Sequence, residues 1–588
     1  MSTAALVLPE GAEIILRERY LQRSPSGDYE TPAEMFARVA QAVAQGEPPG
    51  DGTRDAMAER FYQLMGQGEF LPNSPTLMNA GTAVGQLSAC FVLPVEDSLD
   101  RIFDAVKQMA LIHQSGGGTG FSFSRLRPRG DRVRSTGGVA SGPVSFIEIF
   151  DATTNVIKQG GRRRGANMAV LDVSHPDIFE FARSKRNGRL NNFNISVAVP
   201  DAFMDAEAAD AEWPLREPVR GAVVRYVRAR ELFNEIVTAA WETGDPGLLF
   251  LDEINRHNPT PALGRIEATN PCGEQPLLPY ESCTLGSINV TRFLGNGHID
   301  WARLAQAIET AVRFLDDVLE VNRFPLRQIE IASLHTRKIG LGLMGWADLL
   351  IALGLPYASA QALALAEQLM AFVTKQAHAA SARLAQVRGV FPAFAGSIWE
   401  HRGQPMRNAA VTTIAPTGTI SLIAGASSGI EPLFALSFTR RTFESHELHQ
   451  INAPLVDACT RLGRADLLSE VQRRGSLAGI DGIPDNLRAL FATALDLSPA
   501  DHLQMQMAFQ RHTDSAVSKT INLPRSATPE QIADAYRMAY RGHLKGITVF
   551  RYGCKGEQVL SVENLDAQAE TGIRVGHDFT GECRQCAQ

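Results

Sequence analysis

Three residues able to act together on a sugar stand at alternate positions in the stretch NPCGEQPLLPYESCTLGSINV, residues 270–290: Asn270, Cys272 and Glu274. In an extended segment alternate side chains point the same way, which would place an amide, a thiol and a carboxyl on one face. The carboxylate can take a proton, the amide can hold a hydroxyl, and the sulfur can be the reactive centre. The competing reading is a buried cysteine in a turn opened by Asn270-Pro271. Two more cysteines bear on the choice. Cys283 follows Cys272 by eleven residues, and Cys90 lies far upstream in LSACFVLPVEDSL. Brought into one pocket, a thiol pair and a third thiol offer two electrons and a separate reactive sulfur. Left apart, they are small core residues, as reduced cysteine commonly is.

Two polar turns suit phosphate: LPNSPTLMN at 71–79 and APTGTIS at 415–421. Hydroxyls and backbone N–H groups can hold an anion without lysine. An ordinary turn or helix cap accounts for each equally well. The run KQGGRRRGAN at 158–167 suits a flexible basic loop over a nucleotide, or a solvated charged loop. GLGLMG at 340–345 matches the dinucleotide fingerprint GxGxxG. That fingerprint has meaning only after a strand at the mouth of a βαβ unit. The preceding LHTRKI is not a buried strand, so close backbone packing is the reading taken, with a nicotinamide dehydrogenase as the alternative.

These residues need elements to position them. Thr31-Pro32-Ala33-Glu34 is a capping box, and Phe36, Val39, Ala40 and Val43 then share a helical face up to Gly46. Short apolar runs at 168–173, 195–199, 222–227, 248–251, 410–414 and 546–550 read as buried strands. Helical patterns lie between them, such as 302–321 with Asp300 as N-cap. The alternation predicts an α/β fold with a largely parallel sheet or barrel.

Composition narrows the function class. With 57 basic and 64 acidic residues the net charge is −7, which does not favour bulk attraction to nucleic acid or an anionic membrane. There is no run of 18 apolar residues and no secretory leader pattern. Seven cysteines in 588 residues are no disulfide framework. A cytoplasmic chain is expected, binding neither nucleic acid nor membrane.

Taken together, the segments resemble the catalytic chain of ribonucleotide reductases, most closely the class II, adenosylcobalamin-dependent branch. The resemblance runs in order through LPNSPTLMNAG at 71–81, LSACFVLPVEDSL at 87–99, QGGRRRGANMAVLDVSHPDI at 159–178 and the 270–290 stretch. It continues through RKIGLGLMGWADLL at 337–350, PTGTISLIAGASSGIEPLF at 416–434, DSAVSKTINLP at 514–524 and KGITVFRYGCKGEQVLS at 545–561. It implies a ten-stranded α/β barrel of two parallel five-stranded halves set antiparallel, with a central finger loop. The organisation expected is an N-terminal helical region over 1–70, the barrel over 71–560 with its finger near 270–274, and a mobile redox tail over 561–588.

The resemblance also implies roles. Cys272 is the thiyl site that removes the 3′-hydrogen of a ribonucleotide, Glu274 the base on the 3′-hydroxyl, and Asn270 a hydrogen-bond partner at the sugar. Cys90 and Cys283 are the reducing pair. Ser74, Ala89, Gly118, Pro271, Gly273 and the turn Pro416, Thr417, Gly418, Thr419 and Ile420 are substrate-binding positions. Asp97, Ser98, Leu99, Arg125, Arg127, Arg162 and Arg164 resemble the site of a deoxynucleoside triphosphate effector at a homodimer interface. No separate on/off site is expected, because the short N-terminal region leaves no room for an ATP cone. Cys583 and Cys586 form a C-x-x-C pair suited to exchange with a thioredoxin-like reductant. Zinc there, with His577 and Cys554, is the weaker alternative, and no metal site is expected.

The branch follows from the radical source. A large subunit fed by a separate radical-generating partner carries paired tyrosines near its C-terminal end, and none of the nine tyrosines here is adjacent to another. Adenosylcobalamin is the source expected, with no histidine on cobalt, because Asp-x-His-x-x-Gly is absent among the thirteen histidines. A class I-type subunit needing a partner is the alternative, followed by a regulatory relative without catalysis. The expected substrate is a ribonucleoside diphosphate.

Overall fold

The apolar runs lie side by side and close into a ring. The computed structural model describes residues 6, 8, 9, 11–24, 26–50, 52–132, 137–159, 163–441, 447–554, 560–562 and 573–575. Strands β1 (Cys90–Pro94), β2 (Gly118–Ser122), β3 (Asn167–Asp172), β4 (Phe193–Val199) and β5 (Gly247–Phe250) form one parallel half. The second half contains β6 (Ser282–Asn289), β7 (Ile339–Met344), β8 (Thr520–Leu523) and β9 (Gly546–Arg551). Within it β6 runs parallel to β7 and β8 to β9. The gap between β7 and β8 is spanned by residues 412–414, through the parallel bridges Leu341–Thr412 and Ile414–Val517. The halves meet antiparallel at both seams, β6 against β1 and β5 against β9. Counting the 412–414 segment, the ring has the ten strands and the two antiparallel halves that the resemblance implies.

Parallel neighbours require crossovers, and helices supply them on the outside. Leu99–Gln114 joins β1 to β2, Pro143–Val156 joins β2 to β3, and Trp301–Val321 follows β6. Asp300 caps the last of these by accepting from the Arg303 N–H at 3.0 Å. The predicted box at Thr31 is present, with Glu34 Oε2 accepting from Thr31 N at 2.7 Å and Thr31 Oγ1 accepting from Glu34 N at 3.2 Å. One apolar core packs β6 and β7 against Trp301–Val321 and the N-terminal helices. A second packs β1–β5 against their crossover helices.

Two expectations change. The run 222–227 is not a buried strand. Val223–Arg228 pairs with Glu212–Arg216 as a surface hairpin, with Val224 57% and Tyr226 58% exposed. β-Branched and aromatic residues fit a pleated ribbon wherever it sits, so that run carries no burial information. The run 410–414 contributes only single bridges to the ring. GLGLMG is mostly strand β7 itself, and its glycines serve close packing: a Cβ on Gly342 would lie 2.4 Å from the carbonyl oxygen of Thr413. In the tail, Leu560–Val562 pairs with Ile573–Val575, which runs parallel to Ser437–Arg441. Among the described residues no helix is long and apolar enough to cross a membrane.

Candidate active site

The barrel interior is occupied by a hairpin. Ala268–Thr269 pairs antiparallel with Pro276–Leu277, and residues 270–275 turn at its tip. The tip is therefore a turn and not the extended segment that alternation suggests. Gly273 has φ 83° there, so the chain reverses between Cys272 and Glu274. Strand β2 makes room for this finger by omitting side chains. A Cβ on Gly120 would meet the Thr269 carbonyl oxygen at 1.8 Å, and one on Gly118 would meet Pro271 Cγ at 3.0 Å. Asn194 Nδ2 donates to the Pro271 carbonyl at 2.8 Å. Thr413 Oγ1 and Ala516 N both donate to the Glu274 carbonyl at 2.9 Å. Both halves of the barrel thus grip the finger.

Cys90 and Cys283 are direct register partners across the antiparallel seam between β1 and β6. Opposed residues of an antiparallel pair have Cα atoms about 4.5–5.5 Å apart, inside the range a disulfide spans. Cys283 is fully buried and Cys90 is 6% exposed, whereas Cys272 is only half-buried. Asn270 Nδ2 donates to Cys90 Sγ at 3.0 Å, and Asn270 Oδ1 accepts from Gln275 N at 2.9 Å. Cys90 Sγ lies 3.9 Å from Glu274 Oε1. Glu274 Oε2 is buried with no partner among the described residues. Buried acceptors are ordinarily paired, so this oxygen is placed to receive a hydrogen from a bound ligand.

Burial pushes the Glu274 carboxyl up to about 7, against the opposing hydrogen bonds from Asn270 and Cys90. Burial, with Cys90 alongside, also pushes the Cys283 thiol well above its ordinary value. Glu274 is therefore poised to exchange a proton near neutrality, and Cys283 stays a neutral thiol. A base must be ionised to act, so the chemical step is expected to accelerate as pH rises, with a midpoint near 7. The stability sign is opposite. A carboxyl raised on folding favours the fold while protonated, and that contribution is lost as pH rises through about 7. Glu274→Gln should remove the pH limb and slow the step roughly 10²- to 10⁴-fold. A pH series of single-turnover rates in both proteins measures this, and an unchanged limb in the variant would exclude Glu274 as its source.

Ser74, Ala89, Cys90, Gly118, Asn270, Pro271, Cys272, Glu274 and Pro416–Ile420 all line one cleft. Its two polar turns differ in what they have free. Asn73 Oδ1 caps the helix Ser74–Asn79, while Asn73 Nδ2 is buried and without a partner among the described residues. Thr417 Oγ1 accepts from Gly429 N at 2.7 Å, which commits that hydroxyl to the fold. Residues missed from sequence also line the cleft, notably Arg19 and Tyr20 from the N-terminal helix. No local motif marks them.

The expected effector residues are already engaged. Ser98 caps Leu99–Gln114, Arg127 pairs with Asp97 at 2.8 Å, and Arg125 bridges Glu96 at 2.9 Å and Glu267 at 3.0 Å. Arg162, Cys583 and Cys586 lie outside the described residues, and Arg164 is described only as backbone paired with Lys158.

Residues 88–550 match the ribonucleotide reductase barrel domain, and residues 9–85 match the ribonucleotide reductase all-alpha domain. The chain belongs to the ribonucleotide reductase family. Among its relatives is a vitamin B12-dependent ribonucleoside-diphosphate reductase of Mycobacterium tuberculosis (strain ATCC 25618 / H37Rv), 51% identical over 99% of this chain and 83% of that one. The protein of the same name from Thermoplasma acidophilum is 52% identical over 95% of this chain and 74% of that one. In structure, the Actinobacillus ureae class Id ribonucleotide reductase alpha subunit superposes with a TM-score of 0.77 at 23% identity, covering 94% of this chain and 99% of that one. That likeness supports the barrel fold alone.

Proposed function

We propose that this chain reduces ribonucleoside diphosphates to 2′-deoxyribonucleotides by a thiyl-radical mechanism dependent on adenosylcobalamin. The observation that carries it is one cleft holding a half-buried Cys272, a buried carboxyl with an unpaired oxygen, and a register-paired Cys90 and Cys283 behind them. The relatives named as vitamin B12-dependent enzymes support the branch. The cleft also suits the cofactor. Of the two cysteines that line it, Cys272 is the more accessible, so that sulfur is the one a radical source can reach. When bound, adenosylcobalamin supplies a carbon radical by opening its cobalt–carbon bond.

The protein's residues then divide the work. Cys272, as thiyl, takes the 3′-hydrogen and returns it at the end. Glu274 accepts the 3′-hydroxyl proton, and Asn270 holds both the sugar and Cys90 Sγ. Cys90 and Cys283 give two electrons and two hydrogens as the 2′-hydroxyl leaves as water, and they close to a disulfide. The balance is one C–O bond reduced for one S–S bond formed. Cys583 and Cys586 would pass that disulfide to a thioredoxin-like protein by exchange.

The substrate diphosphate would sit at Ser74 and the Thr417–Ile420 turn. A homodimer with a deoxynucleoside triphosphate effector is part of the proposal. Leu99 is 65% and Phe103 51% exposed on one helix, and Val156 is 81% exposed on its neighbour, an apolar face suited to a second copy. The Leu99–Gln114 helix reaches strand β2 through His113, whose Nε2 lies 3.1 Å from Thr119 Oγ1, next to the Gly118 that packs against Pro271 of the finger.

Purified protein with adenosylcobalamin, a small dithiol and a ribonucleoside diphosphate is expected to form deoxynucleotide with no second protein. Activity that appears only on adding a metal-containing partner subunit would overturn the cobalamin reading in favour of a class I-type chain.

A further inference from the structure

Arg19 ends the N-terminal helix Ala12–Arg19, and it reaches the cleft from outside the barrel. Its Nη1 donates to Thr419 Oγ1 at 3.4 Å, on the Pro416–Ile420 turn. The adjacent Tyr20 hydroxyl lies 2.8 Å from Ser74 Oγ, on the other turn. Two consecutive residues therefore pin one helix end to both polar turns at once. The docking has its own packing: Pro9 lies against Gly425, where a Cβ would meet it at 3.2 Å, and Leu16 and Tyr20 are buried in the adjoining core.

The charge balance of the cleft gives this position its meaning. Among the described side chains lining it, Arg19 is the one cation and Glu274 the one acid. Ser74, Thr417, Thr419 and Asn73 are neutral. Neutral donors suffice to orient a phosphate, but a terminal phosphate carries most of the charge of a nucleoside diphosphate, and bonds to a guanidinium are about twice as strong as neutral ones. Arg19 stands at the Thr419 turn.

We propose that Arg19 is the residue that recognises the terminal phosphate of the diphosphate substrate, which makes the N-terminal helix part of the substrate site. This rests on the reductase reading given above. On this assignment the diphosphate and the monophosphate are distinguished, because the turns take the phosphate next to the ribose and Arg19 takes the terminal one.

The test is calorimetric binding of ADP and AMP to the full-length protein. In R19A, ADP is expected to bind about 10- to 100-fold more weakly, the scale of one lost charged hydrogen-bonding partner. AMP binding should change less than about threefold on the same scale. Arg19→Lys should recover part of the loss for ADP, a pattern that a merely structural role of the helix end would not give. Equal weakening of ADP and AMP, or no weakening of ADP, overturns the assignment of Arg19. If the wild-type protein binds ADP but forms no deoxynucleotide under any cofactor condition, the reductase reading fails, and this experiment still decides what Arg19 contacts.

Discussion

Replacing Cys272 with serine is expected to abolish deoxynucleotide formation while leaving ADP binding within a few-fold of wild type. Serine nearly matches cysteine in size, and the tip is held by backbone: Asn194 Nδ2 on the Pro271 carbonyl, and Thr413 and Ala516 on the Glu274 carbonyl. None of those contacts uses the sulfur, so the finger should keep its place. What changes is the bond to be broken. An O–H bond is much stronger than an S–H bond, and a carbon radical generated in the cleft would not remove that hydrogen at a useful rate. The loss should be at least about 10⁴-fold, as for removal of an obligatory reactive group elsewhere. Product formation by C272S at more than a trace, assayed in the full mixture with cobalamin and dithiol, would move the radical site to another residue.

How much of this was legible depends on whether the signal is local. The trio Asn270, Cys272 and Glu274 is local, and its residue types fixed the chemistry to look for even though the tip turns instead of extending. The helices at Pro32–Val43 and Trp301–Val321 are legible for the same reason, because caps and periodicity sit within a few residues of each other. The ring is harder. β2 contains Gly118 and Gly120, which strand propensity disfavours, and only the finger pressed against it explains them, Pro271 at Gly118 and the Thr269 carbonyl at Gly120. Closure between β7 and β8 rests on two bridges at 412 and 414, too brief to leave a pattern. Arg19 and Tyr20 are least legible, since their meaning comes from docking against residues 419 and 74. Arginine-rich composition misleads in the other direction: Arg125 and Arg127 are paired with Glu96, Glu267 and Asp97, so an effector would have to compete with those carboxylates.

Cys90→Ser and Cys283→Ser should each stop net reduction, again by about 10⁴-fold in steady state, for a different reason than C272S. The reactive sulfur remains, so radical formation and hydrogen removal at the 3′ position can begin. Without a second sulfur no disulfide can close, and the two electrons for the 2′ carbon are missing. The register pairing of Cys90 with Cys283 makes the pair specific: no other described cysteine faces either of them across a strand seam. In wild type, one turnover of prereduced protein without external reductant should therefore leave a single new disulfide, and peptide mapping should find it between residues 90 and 283. Because the Cys283 thiol is fully buried and held neutral, a thiol reagent should reach it slowly in the folded protein. A small dithiol should nevertheless restore turnover by attacking the pair from the Cys90 side, which opens on the cleft. Repeated turnover by either serine variant at wild-type rate, or a mapped disulfide elsewhere, would require the reducing pair to be assigned to other sulfurs.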